Sequence, residues 1–472
     1  MRSIIYLVFL FAVSGCKVGP AYKPPQVEIP ENWKTESIEV EKFENVGCWW
    51  EIFHDPLLNE LEEKAIFNNQ DIRVAISRVK QEWAQAGVTK ADLFPQISAS
   101  PTLVDLRTLF KLQVPPNTPS IPPFRTHVKE YIYPLTYSYQ FDFWRKNWDN
   151  YEAAYASAEA QEEALRNVLL TITTDLAENY FQLRSYDQQL VILDKAIQIR
   201  QDASTITLDR FQAGLTSYID SVQAKTELYS SLANKEDIIR LRAQSENLIA
   251  VLIGTNASEF CLPPNPLLEE PPTIPAGLPS ELLLRRPDIA EAERKMASMN
   301  ASIGVAIASF FPTFQIFGAI GYASPDFKQL FKWISNLEFL QAQISQIIFD
   351  GGRLYNNYII SEEQYREAIA HYRGVILTAF REVEDALIAI QQREKQRSAL
   401  SERVKFSHES VDLSDDRYLT GIITYLDVVI ELRNDLEAQL DEQSVLADQY
   451  ISTIQLIKAL GGGFGVSSLC AR

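Results

Sequence analysis

The sequence predicts a mainly helical chain, duplicated internally, in which each half carries one β-hairpin between helices. Three observations lead to this fold class. Short residue matches recur in order at a nearly fixed spacing, which indicates an internal repeat. Apolar residues alternate with period two in two regions, as in β-strands, and the regions that flank them show helical spacing.

The repeat is visible in matches that keep their order along the 472 residues. Asp71-Ile72 recurs as Asp288-Ile289 at an offset of 217, and Arg210-Phe211 recurs as Arg417-Tyr418 at an offset of 207. Chance can produce one such pair but not an ordered series, so we expect two copies of one unit. Further matching pairs are Phe94 and Phe311, Gly214 and Gly421, Asp220 and Asp427, and Gly254 and Gly461.

Each half is expected to contain one β-hairpin, at about 96–143 and about 313–349. In the first, alternate positions over Tyr131–Phe143 are aromatic or apolar, and the second begins with the same alternation at Phe314. Period two over this length is typical of strands with one apolar face. The change of offset is explained by ten extra residues in the Pro-rich connection of the first hairpin, which suits a solvent-exposed loop.

Long helices are predicted beside the hairpins. Leu165 begins a stripe of apolar residues at intervals of four, three and four, which is helical spacing. No proline lies between positions 134 and 263, and a helix over 148–210 would be roughly 95 Å long. A solenoid or coiled coil is the alternative for such long periodic helices, but neither contains hairpins.

The N-terminus has the features of a bacterial lipoprotein signal. Arg2 precedes an apolar core, Ile4–Val13, that is too short to span a bilayer. Small residues then lead directly to Cys16, which resembles a lipobox, where the cysteine becomes the lipidated first residue. An ordinary signal peptide that contains a cysteine is the alternative. Lys17 follows, rather than the Asp that retains enteric lipoproteins at the inner membrane, and this favours the outer membrane.

Three cysteines remain after lipidation, namely Cys48, Cys261 and Cys470. The periplasm permits disulfides, but three thiols cannot all pair within one chain. Inert buried thiols and a Cys48–Cys261 disulfide are the two alternatives.

Composition and charge exclude several classes of protein. The net charge is −18, which argues against nucleic-acid binding because that function requires a basic surface. No apolar run reaches the ~20 residues of a spanning helix. The chain has four His, four Cys and no recognisable catalytic motif, so we expect no enzymatic activity, no cofactor and no structural metal.

Four strands with one aromatic, apolar face suit an outer membrane, with a small soluble sheet as the alternative. Four strands cannot close a barrel, and open sheet edges are not tolerated in lipid. Strands from several chains must therefore combine. Three chains would supply a 12-stranded barrel, larger than the eight-stranded minimum.

Five stretches spread over nearly the whole mature chain carry a family resemblance. They are Cys48-Trp49-Trp50-Glu51-Ile52-Phe53-His54-Asp55-Pro56-Leu57, Leu284-Arg285-Arg286-Pro287-Asp288-Ile289, Phe349-Asp350-Gly351-Gly352-Arg353, Arg381-Glu382-Val383-Glu384-Asp385-Ala386 and Lys458-Ala459-Leu460-Gly461-Gly462-Gly463. The sequence thereby resembles the TolC/OprM family of outer-membrane efflux channels, in its NodT-type lipoprotein branch. One departure is Trp144-Arg145-Lys146, where the family usually has Gly-Arg after the second strand.

The resemblance implies a homotrimer with a 12-stranded outer-membrane barrel, a 12-helix periplasmic α-barrel and a mixed equatorial belt. It also implies contact with outer-membrane lipid, a periplasmic adaptor protein and an inner-membrane pump, which we expect to be proton-driven. The implied function is a passive duct that exports small molecules such as drugs and opens at its periplasmic tip on adaptor contact. The alternatives are a duct for type I protein secretion or metal efflux and, in a different class, a periplasmic helical scaffold without a pore.

These inferences divide the chain into six segments. They are a signal peptide at 1–15, a lipidated N-terminal segment with part of the equatorial domain at 16–70, a first structural repeat at 71–255, an inter-repeat equatorial segment at 256–287, a second structural repeat at 288–463 and a C-terminal tail at 464–472.

The periplasmic tip is expected where Gly214 and Gly421 follow the long helices. Ser217-x-x-Asp220 and Thr424-x-x-Asp427 have capping-box spacing, so these residues are expected to begin the helices that follow the turns.

Asp415 and Asp416 are the main candidates for a constriction ring at the tip. They precede the turn, where no cap is needed and where negative charge disfavours a helix end. A ring of these carboxylates would also bind blocking cations, whereas an ordinary solvated acidic tip is the alternative. Further gate candidates are Asp209 and the latch partners Arg210, Arg417 and Tyr418.

Overall fold

A computed structural model of the protein describes residues 17–30, 32–34, 48–110, 124–267, 269–274 and 286–462. The predictions for Cys16, Cys470, the Pro-rich loop of the first hairpin and the C-terminal tail lie outside these residues.

Each half of the described chain follows one order: a helix, strands, a long helix and a shorter helix. Corresponding helices have equal lengths: 22 residues in Gln70–Ala91 and Pro287–Ala308, 67 in Lys146–Gln212 and Arg353–Leu419, and 35 in Tyr218–Leu252 and Tyr425–Ala459. The mainly helical, internally duplicated fold is therefore confirmed. The elements are α1 (Pro56–Asn68), α2 (Gln70–Ala91), β1 (Gln96–Ala99), β2 (Thr102–Phe110), β3 (Phe124–Phe141), α3 (Lys146–Gln212), α4 (Tyr218–Leu252), α5 (Pro287–Ala308), β4 (Thr313–Ser324), β5 (Asn336–Ser345), α6 (Arg353–Leu419) and α7 (Tyr425–Ala459).

All five strands form one antiparallel sheet. β1 and β2 follow one another along β3, separated by Ser100-Pro101, so the sheet is four strands wide. β3 also pairs with β4, and β4 pairs with β5. The sheet therefore has two edges, β5 and the β1/β2 strand, that have no partner within the described residues.

The register assigns the strand residues to two faces, because residues directly opposite one another share a face. What we call the apolar face carries Leu135, Tyr137, Ile316, Ile320, Leu340 and Ile344. The opposite face, which we call the polar face, carries Ser138, Gln140, Gln315, Gln341 and Gln343. The alternation read from the sequence thus produces a two-faced sheet shared by both halves.

The two junctions from strand to long helix are built alike. The Asp142 carboxylate accepts hydrogen bonds from backbone N–H groups in the first turn of α3 at 3.1 and 2.8 Å. Asp350 accepts two such bonds at the start of α6 at 2.9 and 2.8 Å. Gly351 and Gly352 have φ angles of 68° and 89° in the second junction, and Arg145 has a φ of 61° in the first. At Trp144-Arg145-Lys146 the chain thus makes its turn with one left-handed residue, Arg145, where the second junction uses two glycines.

The chain divides into two compact units. The first comprises Met1–Pro25, Lys80–Glu159 and Glu293–Ala370 and contains the sheet; the second comprises Gln26–Val79, Ala160–Ala292 and His371–Arg472. The core of the second unit forms around the buried rings of Trp49 and Trp50. Among the helices of the described ranges, none is long and apolar enough to cross a membrane.

The proposed Cys48–Cys261 disulfide is wrong, because both residues are free cysteines. Cys48 is half-buried against the core of the second unit, where burial raises the pKa of its thiol. Cys261 is instead exposed, so the two thiols lie in different environments.

Candidate functional site

The turns that end α3 and α6 share one geometry. Gly214 and Gly421 have positive φ angles of 73° and 78°. The N–H of the next residue donates to a carbonyl of the preceding helix, from Leu215 to Arg210 at 2.8 Å and from Ile422 to Arg417 at 2.9 Å. This is the Schellman pattern, in which glycine adopts the left-handed conformation without a Cβ penalty.

The helices that follow these turns begin with different caps. The Asp427 carboxylate accepts hydrogen bonds from the Thr424 backbone N–H at 3.0 Å and from its hydroxyl at 2.8 Å, completing a capping box. Ser217 caps α4 by accepting from the Ile219 N–H at 3.4 Å. In the part of the chain that the structure describes, the Asp220 carboxylate makes no hydrogen bond to that cap.

A cluster between the turns joins α3 to α6 and α7. The Arg210 guanidinium lies 4.9 Å from the centroid of the Tyr418 ring, within the distance of a cation–π contact. The Tyr418 and Tyr425 rings lie 5.4 Å apart. Tyr418 is 6% exposed and packs with Val428 and Val429 of α7. Two of the predicted latch residues, Arg210 and Tyr418, therefore meet within one chain.

The polar atoms of this cluster retain unused hydrogen-bonding capacity. Neither the Tyr418 hydroxyl nor the Arg210 Nε has a hydrogen-bond partner among the described residues, although both are buried. Burial raises the pKa of Tyr418, Arg210 opposes that rise, and Asp220 and Asp415 add to it. The neutral form of the Tyr418 side chain is thus favoured by two of the predicted tip carboxylates, Asp220 and Asp415.

The other predicted gate residues point into solvent. Asp209, Asp415, Asp416 and Arg417 are all exposed, and none forms an ion pair within the described chain. The backbone carbonyl of Asp416 accepts a hydrogen bond from the Thr420 hydroxyl at 3.0 Å, while its carboxylate remains free. A single chain therefore does not bring these carboxylates into a ring.

Sequence reasoning missed a buried ionic network near the tip. Arg200 is 5% exposed and donates to Ser231 and to the Leu432 carbonyl. Glu227, also buried, pairs with Arg433. Burial lowers the pKa of Arg200, and Glu227 opposes that effect. The sequence carried only a weak signal for this site, because Arg200 lies four residues before Ser204, one helical turn away, and both residues are polar.

Three of the stretches that carry the family resemblance converge at one arginine. Arg286 is 8% exposed and donates to both carboxylate oxygens of Asp288, at 2.9 and 2.6 Å. It also donates to Glu382 at 2.7 Å and to the Ala459 carbonyl at 3.0 Å. Four of the five N–H groups of this guanidinium are engaged, and they fix the relative positions of α5, α6 and the end of α7. The contacts of Arg286 are thus those of a structural tie between elements.

The described residues contain no group of three or more His, Cys, Asp or Glu side chains that could hold a metal ion. The candidate site therefore consists of two helix turns, an aromatic–arginine cluster and exposed carboxylates. Such an arrangement can hold and release helix ends.

Comparison with known proteins identifies the relatives of this chain. The family model of the outer membrane efflux protein matches residues 61–255 and 278–462. The chain is 30% identical over 476 residues to the probable efflux pump outer membrane protein TtgC of Pseudomonas putida, with 98% of this chain and 96% of that protein covered. It is 28% identical over 468 residues to the cation efflux system protein CusC of Escherichia coli, with 96% and 97% covered.

The fold is also that of solved structures. The crystal structure of the CmeC outer membrane channel from Campylobacter jejuni matches with a TM-score of 0.86 at 24% identity, and 95% of each chain is covered. The family model matches twice, on both halves of the chain, and together the two matches cover most of it. The chain therefore belongs to the outer membrane efflux protein family, whose members are outer-membrane transport channels and not enzymes.

Proposed function

We propose that the protein is the outer-membrane duct of a tripartite efflux system, a passive homotrimer that exports small molecules such as drugs. The observation that carries this proposal is the sheet, which is four strands wide, has one apolar face and has two edges without a partner among the described residues. An apolar outer face suits lipid, and unpaired edges are not tolerated there. Identical neighbours can satisfy both edges when β5 of one chain pairs with the β1/β2 strand of the next.

Three chains give the 12-stranded barrel that a solute pathway requires. An eight-stranded barrel from two chains would fill its interior with side chains, whereas more strands leave a lumen. The long helices α3 and α6 and their shorter partners α4 and α7 would then supply 12 helices around the same axis.

The partners follow from the family, because its members serve as outer membrane components of efflux pumps. We propose an adaptor protein that contacts the turns at Gly214 and Gly421 and a proton-driven pump in the inner membrane. These turns are exposed and bracket the Arg210–Tyr418 cluster. Adaptor contact there would release the cluster and open the duct.

The gate itself is proposed to be a ring of Asp415 and Asp416 from three chains. Both carboxylates are exposed and unpaired in one chain, so a three-fold axis would bring like charges together. Charges 4 Å apart near a surface interact by about 4 kcal/mol. Such a ring is stable only when bound cations or Arg417 and Arg210 offset it, or when some carboxylates hold protons.

Single-channel recording in planar bilayers, with native mass spectrometry of the same detergent-solubilised sample, tests the proposed function. The expected result is a trimer mass and discrete conductance steps. A stable monomer that retains its strands, or a trimer that never conducts, contradicts the duct and favours the pore-free scaffold.

Metal efflux is the second candidate function, because the cation efflux system protein CusC is similar over nearly its full length. Deleting the gene for this chain separates the candidates. Sensitivity to drugs and solvents with unchanged tolerance of toxic metal cations supports drug efflux, and the reverse pattern supports metal efflux. Loss of a secreted protein, with no change in either sensitivity, would instead indicate type I secretion.

A further inference from the structure

Two phenylalanine side chains interrupt the polar face of the sheet. Phe317 lies opposite Ser138 on β3 and Gln341 on β5. Phe339 lies opposite Ala319, which makes it the diagonal neighbour of Phe317 on the same face. The ring centroids are 6.0 Å apart with an angle of 61° between the rings, an edge-to-face pair.

The described residues leave both rings partly uncovered. Phe317 is 38% exposed and Phe339 is 47% exposed. The neighbouring positions on this face, Ala319 and Gly321, have no side chain large enough to cover them. A Cβ added to Gly321 would lie 2.1 Å from the Tyr133 carbonyl oxygen, so no larger residue fits there. The rings therefore lie beside small residues of β4, and we call this part of the polar face the recess.

The surroundings of the recess are polar but uncharged. Toward the start of β4, the same face carries Gln315, whose amide donates to the Ser138 hydroxyl at 3.3 Å. No charged residue occupies the polar face over 313–321 of β4 or the positions opposite it on β3 and β5. The residues there are of the types Thr, Gln, Phe, Ala, Gly, Ser, Pro and Leu. A guest at this recess meets two aromatic rings, amides and hydroxyls, and no ionised group of these strands.

We propose that Phe317 and Phe339 form a binding site for neutral aromatic small molecules on the wall of the lumen. The inference rests on the trimeric duct proposed above, because barrel closure is what turns the polar face into a lumen. Aromatic rings prefer edge-to-face and offset contacts with further rings. Two rings already held in that geometry present both a face and an edge to a third.

A binding role fits the lumen better than a gate does. Twelve strands about 4.8 Å apart and tilted by about 40° enclose a barrel about 24 Å in diameter. One ring pair per chain cannot close a lumen of that width. It does place three identical recesses at one height, which raises the local concentration of an aromatic solute along the exit path.

The test uses ¹⁹F relaxation of 4-fluorobenzyl alcohol in the presence of the detergent-solubilised trimer. We expect the wild-type protein to increase the transverse relaxation rate of the probe. The double variant Phe317→Ala with Phe339→Ala should lose at least two thirds of that increase. The matched control is Ile316→Ala with Leu340→Ala, a diagonal pair with the same spacing on the apolar face, and it should retain the increase.

The outcomes separate this site from partition into detergent and from failure of the channel itself. The site is overturned if wild type and the Phe double variant give the same relaxation rate of the probe. It is also overturned if the two double variants lose the same share of the wild-type increase in that rate. If the Ala variant does not assemble, Phe317→Leu with Phe339→Leu replaces it. That variant should lose preference for the aromatic probe over fluorinated cyclohexanol, and an unchanged preference overturns the site. Conductance steps from the same samples report the duct independently of binding, so normal conductance with unchanged binding rejects only this inference.

Discussion

At the scale of single residues, Asp149 is a carboxyl group of the first unit that is buried without a hydrogen-bond partner among the described residues. Its side chain is 1% exposed, and neither oxygen accepts a hydrogen bond within the described chain. The Nε of Arg145 is 3.6 Å from its Oδ1. A Cβ built on Gly304 would lie 2.3 Å from Oδ2, so glycine is required there to admit the carboxyl group. Burial raises the pKa of Asp149 to about 6, and Lys17 opposes that rise.

This raised pKa predicts a pH dependence of stability with a definite sign. An exposed Asp in the unfolded chain titrates near 3.9, so the folded protein binds the extra proton between about pH 4 and pH 6. The contribution of protonated Asp149 to the free energy of unfolding is fully present below about pH 4 and is lost as the pH rises through about 6. Asp149→Asn removes the charge, and we expect a melting temperature higher than wild type at pH 7.5 and equal to it at pH 3.5.

Differential scanning fluorimetry of the detergent-solubilised trimer checks this prediction. Asp92→Asn changes an exposed carboxyl group of the same unit, so it should leave the curve unchanged at both pH values. A constant difference between Asp149→Asn and wild type across this range would show that Asp149 does not titrate there.

Cys16 is the second residue whose role is testable alone. We expect Cys16→Ser to abolish labelling by a clickable palmitate analogue in growing cells, because the thiol is the acylation site of the resembled lipobox. Acyl chains contribute about 0.8 kcal/mol per buried CH₂. Unchanged labelling would show that Cys16 is not the lipid anchor, and Cys48→Ser controls for acylation of another thiol.

At the scale of elements, the two helix turns carry most of the proposed gating. We predict that Asp415→Ala with Asp416→Ala relieves block by divalent cations added from the periplasmic side, because hard oxygen ligands favour such ions. The half-blocking concentration should rise by about tenfold, and cation selectivity should weaken, since about 1.4 kcal/mol of lost binding corresponds to tenfold.

Single-channel recording gives both quantities. Glu409→Ala with Asp412→Ala is the matched control, because these carboxylates are exposed on the same helix, α6. If the Asp415 and Asp416 variant retains block and selectivity, the two residues are ordinary solvated side chains. The constriction would then have to lie at Asp209, Asp220 or Asp427, or at an apolar ring.

The Arg210–Tyr418 contact is the element-scale latch. A partly buried cation–π contact contributes about 1 kcal/mol, so its loss should raise the open-to-closed ratio about fivefold. We expect Arg210→Ala to show this increase in single-channel recordings. Arg403→Ala removes an exposed arginine that pairs with Glu437 and Asp441, and it should gate as wild type does. A similar rise in both variants would indicate general loosening of the helices.

At the scale of the whole molecule, strand formation and assembly should be one event. Each chain has an unpaired β5 edge and an unpaired β1/β2 edge among its described residues, whereas the second unit has its own apolar core. We therefore predict that heating removes the trimer and the strand signal of the infrared amide I band at the same temperature. Chemical crosslinking measures the trimer, and a monomer that keeps its strand signal would contradict shared closure of the barrel.

The sequence by itself determined the duplication, the helices and the two faces of the sheet. These features are local or periodic: residue spacing of two or of three and four decides which side of an element is apolar, and ordered matches reveal a repeat. It also located the turns at Gly214 and Gly421, because glycine after a helical stripe marks a helix end.

Only the tertiary structure decided which side chains of different helices and strands contact one another. Pairing of α3 with α6 brings Arg210 to Tyr418, and burial by several segments leaves Asp149 and Arg200 with shifted pKa values. The rings of Phe317 and Phe339 share a recess because the register of β4 with β5 makes them diagonal neighbours. The free state of Cys48 and Cys261 is likewise a tertiary outcome. Contacts between residues distant in sequence depend on packing and register, and no local period in the sequence encodes them.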